Sequence, residues 1–362
     1  MKAAVLRETG KRMEIEDISI AKPIGREVLV RLKAVGVCHS DLHALTGDLP
    51  HPLPAVLGHE AAGIVEQVGP EVHTVKPGDH VVVCLTFHCG HCDQCHGGNS
   101  HRCYTPEALR AAGEPPRLFR GQESFAAFMN MGAFAEQILV HESGCVPMRR
   151  DMPFDRACLI GCGVTTGLGA AVRAAAIRPG ETVAVIGCGG VGLSAITGAA
   201  IAGAGQVIAI DRVASKLELA RSFGATDLVD GTTGPVVEQV MELTRGRGVD
   251  HVIEAIGLKQ TIEDGFAMLA KGGLQTIVGA ARFDTKVEFP ALAFLREKRV
   301  QGSMMGGVRN AIDIPRYIDF YMNGRLKLDD MISRRRPLSE INEAFDDMHS
   351  GANARSVIVF DS

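Results

Sequence analysis

Apolar positions follow one pattern near the N-terminus and another in the middle of the chain. From Met1 to about Val83 they form short valine-rich runs separated by glycine, proline and charged turns. Runs of this kind are typical of short antiparallel strands joined by long loops. The clearest predicted strands lie at 28–30, 63–68, 80–83 and 134–140. Segments 37–43 and 57–60 lie between strands, where we expect turns.

From Glu181 onward, patterns typical of buried strands and of helices alternate. The predicted strands lie at 182–186, 206–210, 249–253 and 274–278, and the predicted helices at 191–202, 213–223 and 261–269. Strands repeated with helix-length connections predict an α/β fold with a parallel, doubly wound sheet. After residue 306 we expect helices at 312–322 and 341–348, and a last strand at 357–360 that returns to the β-rich region.

Two segments lack a clear period. The stretch 104–131 has mixed charge and prolines, which indicates a loop. The stretch 159–167 is glycine-rich and predicts a turn. An alanine-rich helix is expected to follow it and to end at Arg178-Pro179-Gly180.

One stretch is long and apolar enough to raise the question of a membrane span. Residues 182–210 contain no charged side chain, and about 20 apolar residues suffice to cross a bilayer. Glycines interrupt the stretch and β-branched residues end it, which favours two buried strands with a packed helix between them. Charge at Arg7 and Glu8 precedes any apolar region long enough for a signal peptide, so we expect no signal peptide and a cytoplasmic protein.

Composition limits the classes of partner. The chain has 362 residues, of which 46% are hydrophobic and 22% charged, and its formal net charge is −4. This length predicts two or three domains. A weak negative charge provides no field that would capture nucleic acid or an anionic membrane, so neither is expected as a partner. The run at 334–336, three arginines, is interpreted as a solvated face or loop.

Four of the ten cysteines fall within fifteen residues. Cys89, Cys92, Cys95 and Cys103 follow the spacing C-x2-C-x2-C-x7-C, and such short gaps allow successive thiolates to surround one tetrahedral Zn²⁺ ion. A reduced buried cluster and two disulfides are the alternatives, but two-residue gaps strain a disulfide and nothing indicates secretion. We predict a structural zinc site, closed by four thiolates, with no position open for chemistry.

A glycine-rich motif, G-x-G-x-x-G, follows the strand at 182–186 and opens the next helix. Asp211 stands nineteen residues after Gly192, at the end of the following strand, where an acid can bind the adenosine ribose. The pattern predicts a dinucleotide site with the pyrophosphate at the helix N-terminus, rather than a turn that only packs helix on strand. The acid favours NAD over NADP, although the arginine after it leaves NADP open. The candidate cofactor-binding residues are Gly187, Gly189, Gly190, Val191, Gly192, Asp211 and Arg212.

A second metal site is a weaker prediction from the residues alone. Cys38, His59 and Cys162 each lie among glycines and polar residues, and three protein ligands with one open position form a catalytic zinc site. Their distances along the sequence do not show that they meet. The alternative is that the remaining cysteines are small core residues. These are Cys84, Cys145, Cys158 and Cys188.

Five motifs extend this interpretation. They are Val-Cys-His-Ser-Asp at 37–41, Gly-His-Glu-Ala-Ala-Gly at 58–63, the four-cysteine segment, Gly-Cys-Gly-Val-Thr-Thr-Gly at 161–167 and the glycine motif at 187–192. In this order they resemble the motifs of zinc-dependent medium-chain alcohol dehydrogenases. The resemblance implies a GroES-like β-rich catalytic domain at 1–163 and 305–362, with a structural zinc lobe at 89–103. It also implies a Rossmann NAD-binding domain at 164–304 and two zinc ions per chain.

The same resemblance implies roles for individual residues near the second metal site. Cys38, His59 and Cys162 would be ligands of the catalytic zinc. Asp41 would orient the histidine ligand from behind. Glu60 matches an acid behind the metal that can approach it when a ligand exchanges.

The implied reaction is the reversible oxidation of an alcohol. Zinc would stabilise the alkoxide, and Ser40 would accept the alcohol proton, which passes through the cofactor ribose to His43. Hydride would move from the carbinol carbon to the nicotinamide, leaving an aldehyde or ketone. His39 and Arg355 correspond to contacts with the cofactor pyrophosphate.

Alternatives remain for the substrate and for the class of function. Class III members of the family, which oxidise thiol adducts of formaldehyde, are similar at 38–39 and 161–167 but typically carry tyrosine where this chain has His43. Leu85 occupies a place that is often aromatic, which favours a bulky primary alcohol, aromatic or medium-chain. A non-catalytic zinc- and NAD-binding redox sensor is an alternative of another class, disfavoured by the intact metal ligands and Ser40.

The oligomeric state is implied only by the family. Segment 299–304 resembles an edge strand through which Rossmann domains pair about a two-fold axis. The resemblance implies a homodimer, with a tetramer as the alternative.

Overall fold

Two units make up the chain in the computed structural model, which describes residues 1–104, 108–111, 113–349 and 355–360. Unit 1 comprises Met1–Cys162 and Arg309–Ser362, and unit 2 comprises Gly163–Val308. Unit 1 is rich in short strands, whereas strands and helices alternate in unit 2.

Short strands and loops form the N-terminal part of unit 1. The strands are β1 (Lys2–Leu6), β2 (Glu14–Asp17), β3 (Ser19–Ile20), β4 (Glu27–Gly36), β5 (Ala55–Val56), β6 (Glu60–Val68), β7 (His80–Val83), β8 (Leu118–Arg120), β9 (Glu123–Ala127), β10 (Gln137–His141) and β11 (Cys145–Pro147). The helices are α1 (His39–Thr46), α2 (Asp93–His96) and α3 (Phe154–Leu159). Short 3₁₀ turns lie at Ser100–Arg102, Phe128–Asn130 and Glu142–Gly144.

Unit 2 is built on one parallel sheet. Its strands are β12 (Thr182–Ile186), β13 (Gln206–Asp211), β14 (Asp227–Asp230), β15 (Val249–Glu254), β16 (Leu269–Ile277) and β17 (Arg299–Gly302). Its helices are α4 (Thr165–Gly169), α5 (Gly190–Ile201), α6 (Ala214–Ser222), α7 (Val236–Leu243), α8 (Lys259–Ala267) and α9 (Ala291–Phe294). A 3₁₀ turn lies at Met304–Gly307.

The strand order in unit 2 is β14-β13-β12-β15-β16-β17, and each neighbouring pair is parallel. This order, 3-2-1-4-5-6, is that of a doubly wound Rossmann sheet. The predicted α/β fold is confirmed. Central strand β12 is buried along its whole length, which explains why its sequence is apolar without alternation. Strand β14 and helix α7 were not predicted, because an aspartate stands at each end of the four-residue strand.

The chain then returns to unit 1. This part contains α10 (Asn310–Met322), β18 (Ile332–Arg336), α11 (Ile341–His349) and β19 (Arg355–Val359), with 3₁₀ turns at Asp329–Met331 and Leu338–Glu340. The main sheet of unit 1 has the order β11-β7-β6-β4-β19-β18, and β10 also pairs with β4. The expected return of the last strand is confirmed, because β19 pairs antiparallel with β4. A second sheet has the order β2-β1-β5-β9-β8-β3.

The predicted turn at 159–167 is wrong, because this stretch is helical. Helix α3 continues through a π-helical segment at Ile160–Val164 into α4, and a second π-helical segment follows at Ala170–Ala174. The glycines permit close packing instead of a turn. A Cβ atom on Gly161 would lie 2.6 Å from the Val83 carbonyl oxygen.

Two other loop predictions need correction. Segment 37–43, expected to form a turn, contributes to α1, because Asp41 caps the start of a helix there. The expected loop at 104–131 contains the β8–β9 hairpin, whose turn includes Gly121 at a φ of 60°; residues 105–107 and 112 of that prediction lie outside the described residues. The arginines at 334–336, interpreted as a solvated face or loop, lie on β18, which pairs with β19; two of the three are exposed, so they form a solvated face.

Among the described residues, one helical segment is long and apolar enough to cross a membrane. This segment, Phe154–Ala174, has 83% of its apolar window buried inside the protein. Core helices of globular proteins pass the same test of length and composition. The uncharged stretch at 182–210 forms β12, α5 and β13, as predicted.

Candidate active site and zinc sites

The four clustered cysteines surround a common point. The sulfur atoms of Cys89 and Cys95 lie 4.0 Å apart, those of Cys92 and Cys95 3.5 Å, those of Cys92 and Cys103 3.8 Å, and those of Cys103 and Cys89 3.6 Å. A tetrahedron of sulfurs at about 2.3 Å from zinc has edges of about 3.8 Å. A disulfide would bring two sulfurs to about 2.05 Å, so the geometry fits a metal and excludes the disulfide alternative.

Backbone N–H groups donate to two sulfur atoms of this lobe, an arrangement that favours the charged thiolate. The Cys89 N–H donates to Cys103 Sγ and the Cys92 N–H to Cys89 Sγ, each at 3.4 Å. Burial, together with the neighbouring thiols, raises the pKa of the Cys95 thiol to about 12. A bound cation would reverse that effect, because a coordinating thiol is deprotonated.

Arg26 connects the lobe to the rest of unit 1. Its Nε donates to Glu142 at 2.7 Å and its Nη1 donates to the Cys89 carbonyl at 3.4 Å. Glu142 also accepts hydrogen bonds from the Thr74 hydroxyl and from the backbone N–H groups of His73 and Thr74. Burial alone would raise the pKa of Glu142, but these donors, Arg26 first, lower it to about 2. Glu142 is therefore a buried, negatively charged carboxylate at neutral pH, paired with Arg26.

A second cluster combines residues that are far apart in the sequence. Cys38, His59, Glu60 and Cys162 place their ligand atoms within 4.8 Å of one another, and all four are buried. Cys38 caps the N-terminus of α1, His59 directly precedes β6, and Cys162 lies in the first π-helical segment. Departures from regular helix of this kind are frequent at functional sites.

Asp41 orients the histidine of this cluster. Its Oδ1 lies 2.9 Å from His59 Nδ1 and accepts the Gly58 N–H at 3.0 Å, while its Oδ2 accepts the Cys38 N–H at 3.2 Å. Because a carboxylate can only accept, Nδ1 carries hydrogen, which leaves Nε2 as the ring nitrogen available to a metal. His59 Nε2 is buried and has no hydrogen-bond partner among the described protein atoms. An orphaned imidazole nitrogen beside two thiols is the donor set that zinc requires.

Charge near the cluster is arranged to hold thiolate. A hydrogen bond from Cys162, with smaller contributions from Arg355 and His59, holds the pKa of Cys38 well below its usual range. Arg355 is 5% exposed and pairs with Glu60 Oε1 at 3.1 Å, and its Nη1 donates to the Val37 carbonyl at 3.0 Å. Burial raises the pKa of Glu60 to about 7, although Arg355 opposes the shift.

Glycines fix the backbone around these side chains. Gly58 has a φ of +92°, and a Cβ atom there would lie 2.6 Å from the Phe134 backbone nitrogen. Any other residue before His59 would therefore be strained and would clash. A Cβ atom on Gly36 would overlap Glu60 Oε2, so Gly36 leaves the room that Glu60 occupies.

The predicted proton-transfer residues lie on α1. Ser40 Oγ is 4.0 Å from Cys38 Sγ, so it lies beside the second cluster. His43 is farther along the helix, with 31% of its side chain exposed, and its Nδ1 lies 3.5 Å from Asp48 Oδ2. His39, the first residue of the helix, is exposed.

The glycine motif of unit 2 has room for a ligand. A Cβ atom on Gly192 would overlap the Gly187 carbonyl oxygen, which makes the tight turn possible only for glycine. A Cβ atom on Gly189 would meet no atom within 4 Å, so an open cradle lies above the turn. Gly190 begins α5, whose N-terminus points partial positive charge at this space.

Asp211 closes the same turn from the next strand. Its Oδ2 accepts the Cys188 N–H at 2.7 Å, and its Oδ1 accepts the N–H groups of Arg212 and Val213 at 2.7 and 3.0 Å. A carboxylate beside the cradle fits a nucleotide ribose. Val191 follows Gly190 on α5, and the side chain of Arg212 is exposed.

The remaining cysteines are core residues. Cys84, Cys145, Cys158 and Cys188 are at most 4% exposed. Burial raises the pKa of each thiol, which makes them poor nucleophiles and poor metal ligands.

Sequence reasoning missed the aromatic wall of the second cluster. The Phe128 ring is edge-on to His59, with centroids 5.9 Å apart, and edge-on to His51 at 5.2 Å. No motif marks Phe128, because it lies in the stretch predicted to be a loop. Leu85, which was predicted, is partly buried against the core of unit 1.

Two family models match successive parts of the chain. Residues 25–150 match the alcohol dehydrogenase GroES-like domain family, and residues 190–322 match the zinc-binding dehydrogenase family. The chain is 39% identical over 365 residues to an NDMA-dependent alcohol dehydrogenase of Amycolatopsis methanolica, covering 99% of this chain and 98% of that protein. It is 38% identical over 371 residues to an S-(hydroxymethyl)glutathione dehydrogenase of Saccharomyces cerevisiae, covering 99% and 96%.

A solved structure agrees over the whole chain. Benzyl alcohol dehydrogenase from Acinetobacter calcoaceticus superposes with a TM-score of 0.93 at 32% identity, covering 99% of each chain. These matches define an oxidoreductase acting on alcohols. The chain belongs to the zinc-dependent medium-chain alcohol dehydrogenase family, and zinc and NAD are its cofactors. The redox-sensor alternative is thereby set aside.

Proposed function

We propose that the enzyme reversibly oxidises primary alcohols, aromatic or medium-chain, to aldehydes with NAD as hydride acceptor. The observation that carries this proposal is the buried cluster of Cys38, His59 and Cys162, in which Asp41 leaves His59 Nε2 unpaired. The four-sulfur lobe offers no such opening, since its four ligands complete a tetrahedron.

Cys38, His59 and Cys162 would hold the zinc at which the alcohol reacts. Bound there, the metal supplies a Lewis acid that lowers the pKa of the alcohol hydroxyl. Asp41 keeps His59 in the correct tautomer, and Glu60 remains beside the ligands while Arg355 balances its charge.

Ser40 and His43 would move the alcohol proton. Ser40 lies beside Cys38, so its hydroxyl accepts the proton first. His43 takes it farther along α1 and passes it to solvent, to which its side chain is 31% exposed.

In unit 2, NAD would bind at the open turn of the glycine motif. Gly187, Gly189, Gly190, Val191 and Gly192 would approach the pyrophosphate, which the N-terminus of α5 stabilises. Asp211 would accept from the ribose hydroxyls, with Arg212 beside it. On unit 1, His39 and Arg355 are proposed to contact the pyrophosphate as well. His39 is exposed, whereas Arg355 already binds Glu60 and the Val37 carbonyl.

The proposed substrate class rests on apolar side chains. Phe128 stands beside His59, and Leu85 occupies less volume than an aromatic side chain would. The similarity to a benzyl alcohol dehydrogenase supports an aromatic alcohol.

The test is the ratio of kcat/KM values for a panel of alcohols with NAD. We expect benzyl alcohol and 1-hexanol to exceed ethanol and 2-propanol by at least about tenfold, the discrimination available from one to two buried methylenes. Equal values for ethanol and benzyl alcohol would exclude the proposed preference for bulky substrates.

Oxidation of an S-(hydroxymethyl)thiol is a second candidate, favoured by the 38% identity to an S-(hydroxymethyl)glutathione dehydrogenase. Formaldehyde with glutathione belongs in the same panel. A kcat/KM for this adduct well above that for benzyl alcohol would establish the second candidate instead of the first.

We also propose that the enzyme forms a homodimer through β17. This strand lies at the edge of its sheet and pairs only with β16 among the described strands. Leu292, Leu295 and Met304, on either side of it in sequence, are 66%, 81% and 56% exposed, and exposed apolar side chains of this kind mark interaction sites. Light scattering should give twice the chain mass, and a monomer at micromolar concentration would contradict the proposal.

A further inference from the structure

A second aspartate–histidine pair lies at the C-terminal end of α1, the helix that begins after Cys38. His43 Nδ1 faces Asp48 Oδ2 at 3.5 Å, and the two side chains are 31% and 34% exposed. No sequence motif marked Asp48. Its place follows from the way α1 ends.

The end of α1 brings Asp48 back to the helix. Gly47 adopts a φ of 86°, which reverses the chain, and the Leu49 N–H donates to the His43 carbonyl at 2.9 Å. The Thr46 hydroxyl donates to Asp48 Oδ2 at 2.9 Å. The carboxylate is therefore held in position and does not depend on His43 for its orientation.

We propose that Asp48 is a positioning residue for the proton-transfer histidine His43. The carboxylate accepts and cannot donate, so the facing Nδ1 carries hydrogen and Nε2 becomes the basic nitrogen. When Nε2 takes up the substrate proton, the same carboxylate stabilises the charged ring. Catalytic hydrogen bonds are often long before substrate binds and shorten afterwards, which accounts for the 3.5 Å separation.

The proposal rests on the role of His43 proposed above, and it repeats the chemistry of the zinc ligand. Asp41 selects the tautomer of His59 inside the protein, at 2.9 Å and with both side chains fully buried. Asp48 selects the tautomer of His43 at the surface. The two pairs differ in what the other ring nitrogen would bind. It is a metal for Nε2 of His59 and the substrate proton for Nε2 of His43.

The tautomer can be measured without substrate or NAD. In zinc-loaded protein labelled with ¹⁵N-histidine, at about pH 8.5 where a free imidazole is neutral, the His43 ring nitrogens are assigned by their loss in His43→Gln. We expect the Nδ1–H form in the unchanged enzyme, a mixture of forms in Asp48→Ala, and recovery in Asp48→Glu. Glu71→Ala, which removes an exposed carboxylate from the same unit, should leave the His43 signals unchanged.

Turnover provides the second readout. Asp48→Ala should lower kcat about tenfold, the lower end of the range for residues that orient a functional histidine, with the KM for alcohol nearly unchanged. Adding Asp48→Ala to His43→Gln should cause no further loss, because the two residues act as one unit.

Two results would overturn the proposal, and they differ. An unchanged His43 tautomer in Asp48→Ala would show that Asp48 does not position the ring. A changed tautomer with full turnover in His43→Gln would instead remove His43 from the reaction, and with it the catalytic meaning of the pair.

Discussion

The two cysteine-containing clusters of unit 1 both place metal-binding side chains close together, but they differ in burial and in the origin of their residues. In the lobe, four thiols from a single fifteen-residue segment stand 3.5–4.0 Å apart, and three of them are partly exposed. In the second cluster, four buried ligand groups come from three separate segments, and Asp41 and Arg355 surround them with further hydrogen bonds. The ligands of the lobe are thus supplied by one local segment, whereas those of the second cluster are brought together from distant segments and held by buried partners.

The largest effect on turnover is expected when one thiol is removed from the second cluster. Cys38→Ala should lower turnover by at least about 10³-fold, equivalent to about 4 kcal/mol of barrier, because the reacting metal is lost. NADH binding, followed by fluorescence titration, should persist, since the glycine motif is in unit 2. Normal turnover in this variant would refute the assignment of the catalytic cluster.

Removing one thiol from the lobe should change stability instead of chemistry. Cys95→Ala should reduce bound zinc from two ions per chain to one and lower the free energy of unfolding by about 4 kcal/mol, as expected when a structural metal is lost. Metal analysis and thermal melts would measure this. If the folded fraction keeps two zinc ions, Cys95 is not a ligand.

The stability contributed by Glu142, which binds Arg26 beside the lobe, should depend on pH. Because the pKa of Glu142 is lowered from 4.5 to about 2 in the folded protein, its contribution to stability is complete above about pH 4.5 and is lost as pH falls toward 2. Glu142→Gln should cost about 2 kcal/mol at pH 7, the value of hydrogen bonds to a charged group.

The same variant should also lose less stability than the unchanged protein between pH 4.5 and 2. Urea unfolding at both pH values, with Glu71→Gln as a control for an exposed carboxylate, measures the difference. Parallel pH dependence in the two proteins would show that folding does not lower the pKa of Glu142.

The smallest effect is expected at His39, where the proposed cofactor contact is exposed. His39→Arg should tighten NADH binding about threefold, because a guanidinium grips phosphate through charge-assisted bonds that solvent weakens at a surface. Stopped-flow dissociation of NADH would measure the change. An unaltered dissociation rate would place His39 away from the pyrophosphate.

The sequence was most informative where structure is local. The lobe follows from its spacing, and the parallel sheet from the alternation of apolar strands and helices. Cys38, His59 and Cys162 required family resemblance, because no local pattern reveals that α1, the start of β6 and a π-helical segment meet. Local patterns also misled, since the glycines at 161–167 were interpreted as a turn although they allow a helix to pack closely.

Other contacts left no trace in the pattern at all. The Arg355–Glu60 pair joins the last strand to β6, and Phe128 reaches His59 from a 3₁₀ turn. Both depend on tertiary packing between segments distant in sequence. A short strand with an aspartate at each end, such as β14, is likewise stabilised by its pairing with β13 in the sheet more than by its own residues.

The hydrogen bonds of Asp41 have a consequence for how the enzyme acquires its metal. One carboxylate binds the Cys38 N–H, the Gly58 N–H and His59 Nδ1, so the conformational entropy of ordering two loops is spent during folding and not during metal uptake. A metal that binds at Cys38 and His59 therefore does not have to order these two segments itself.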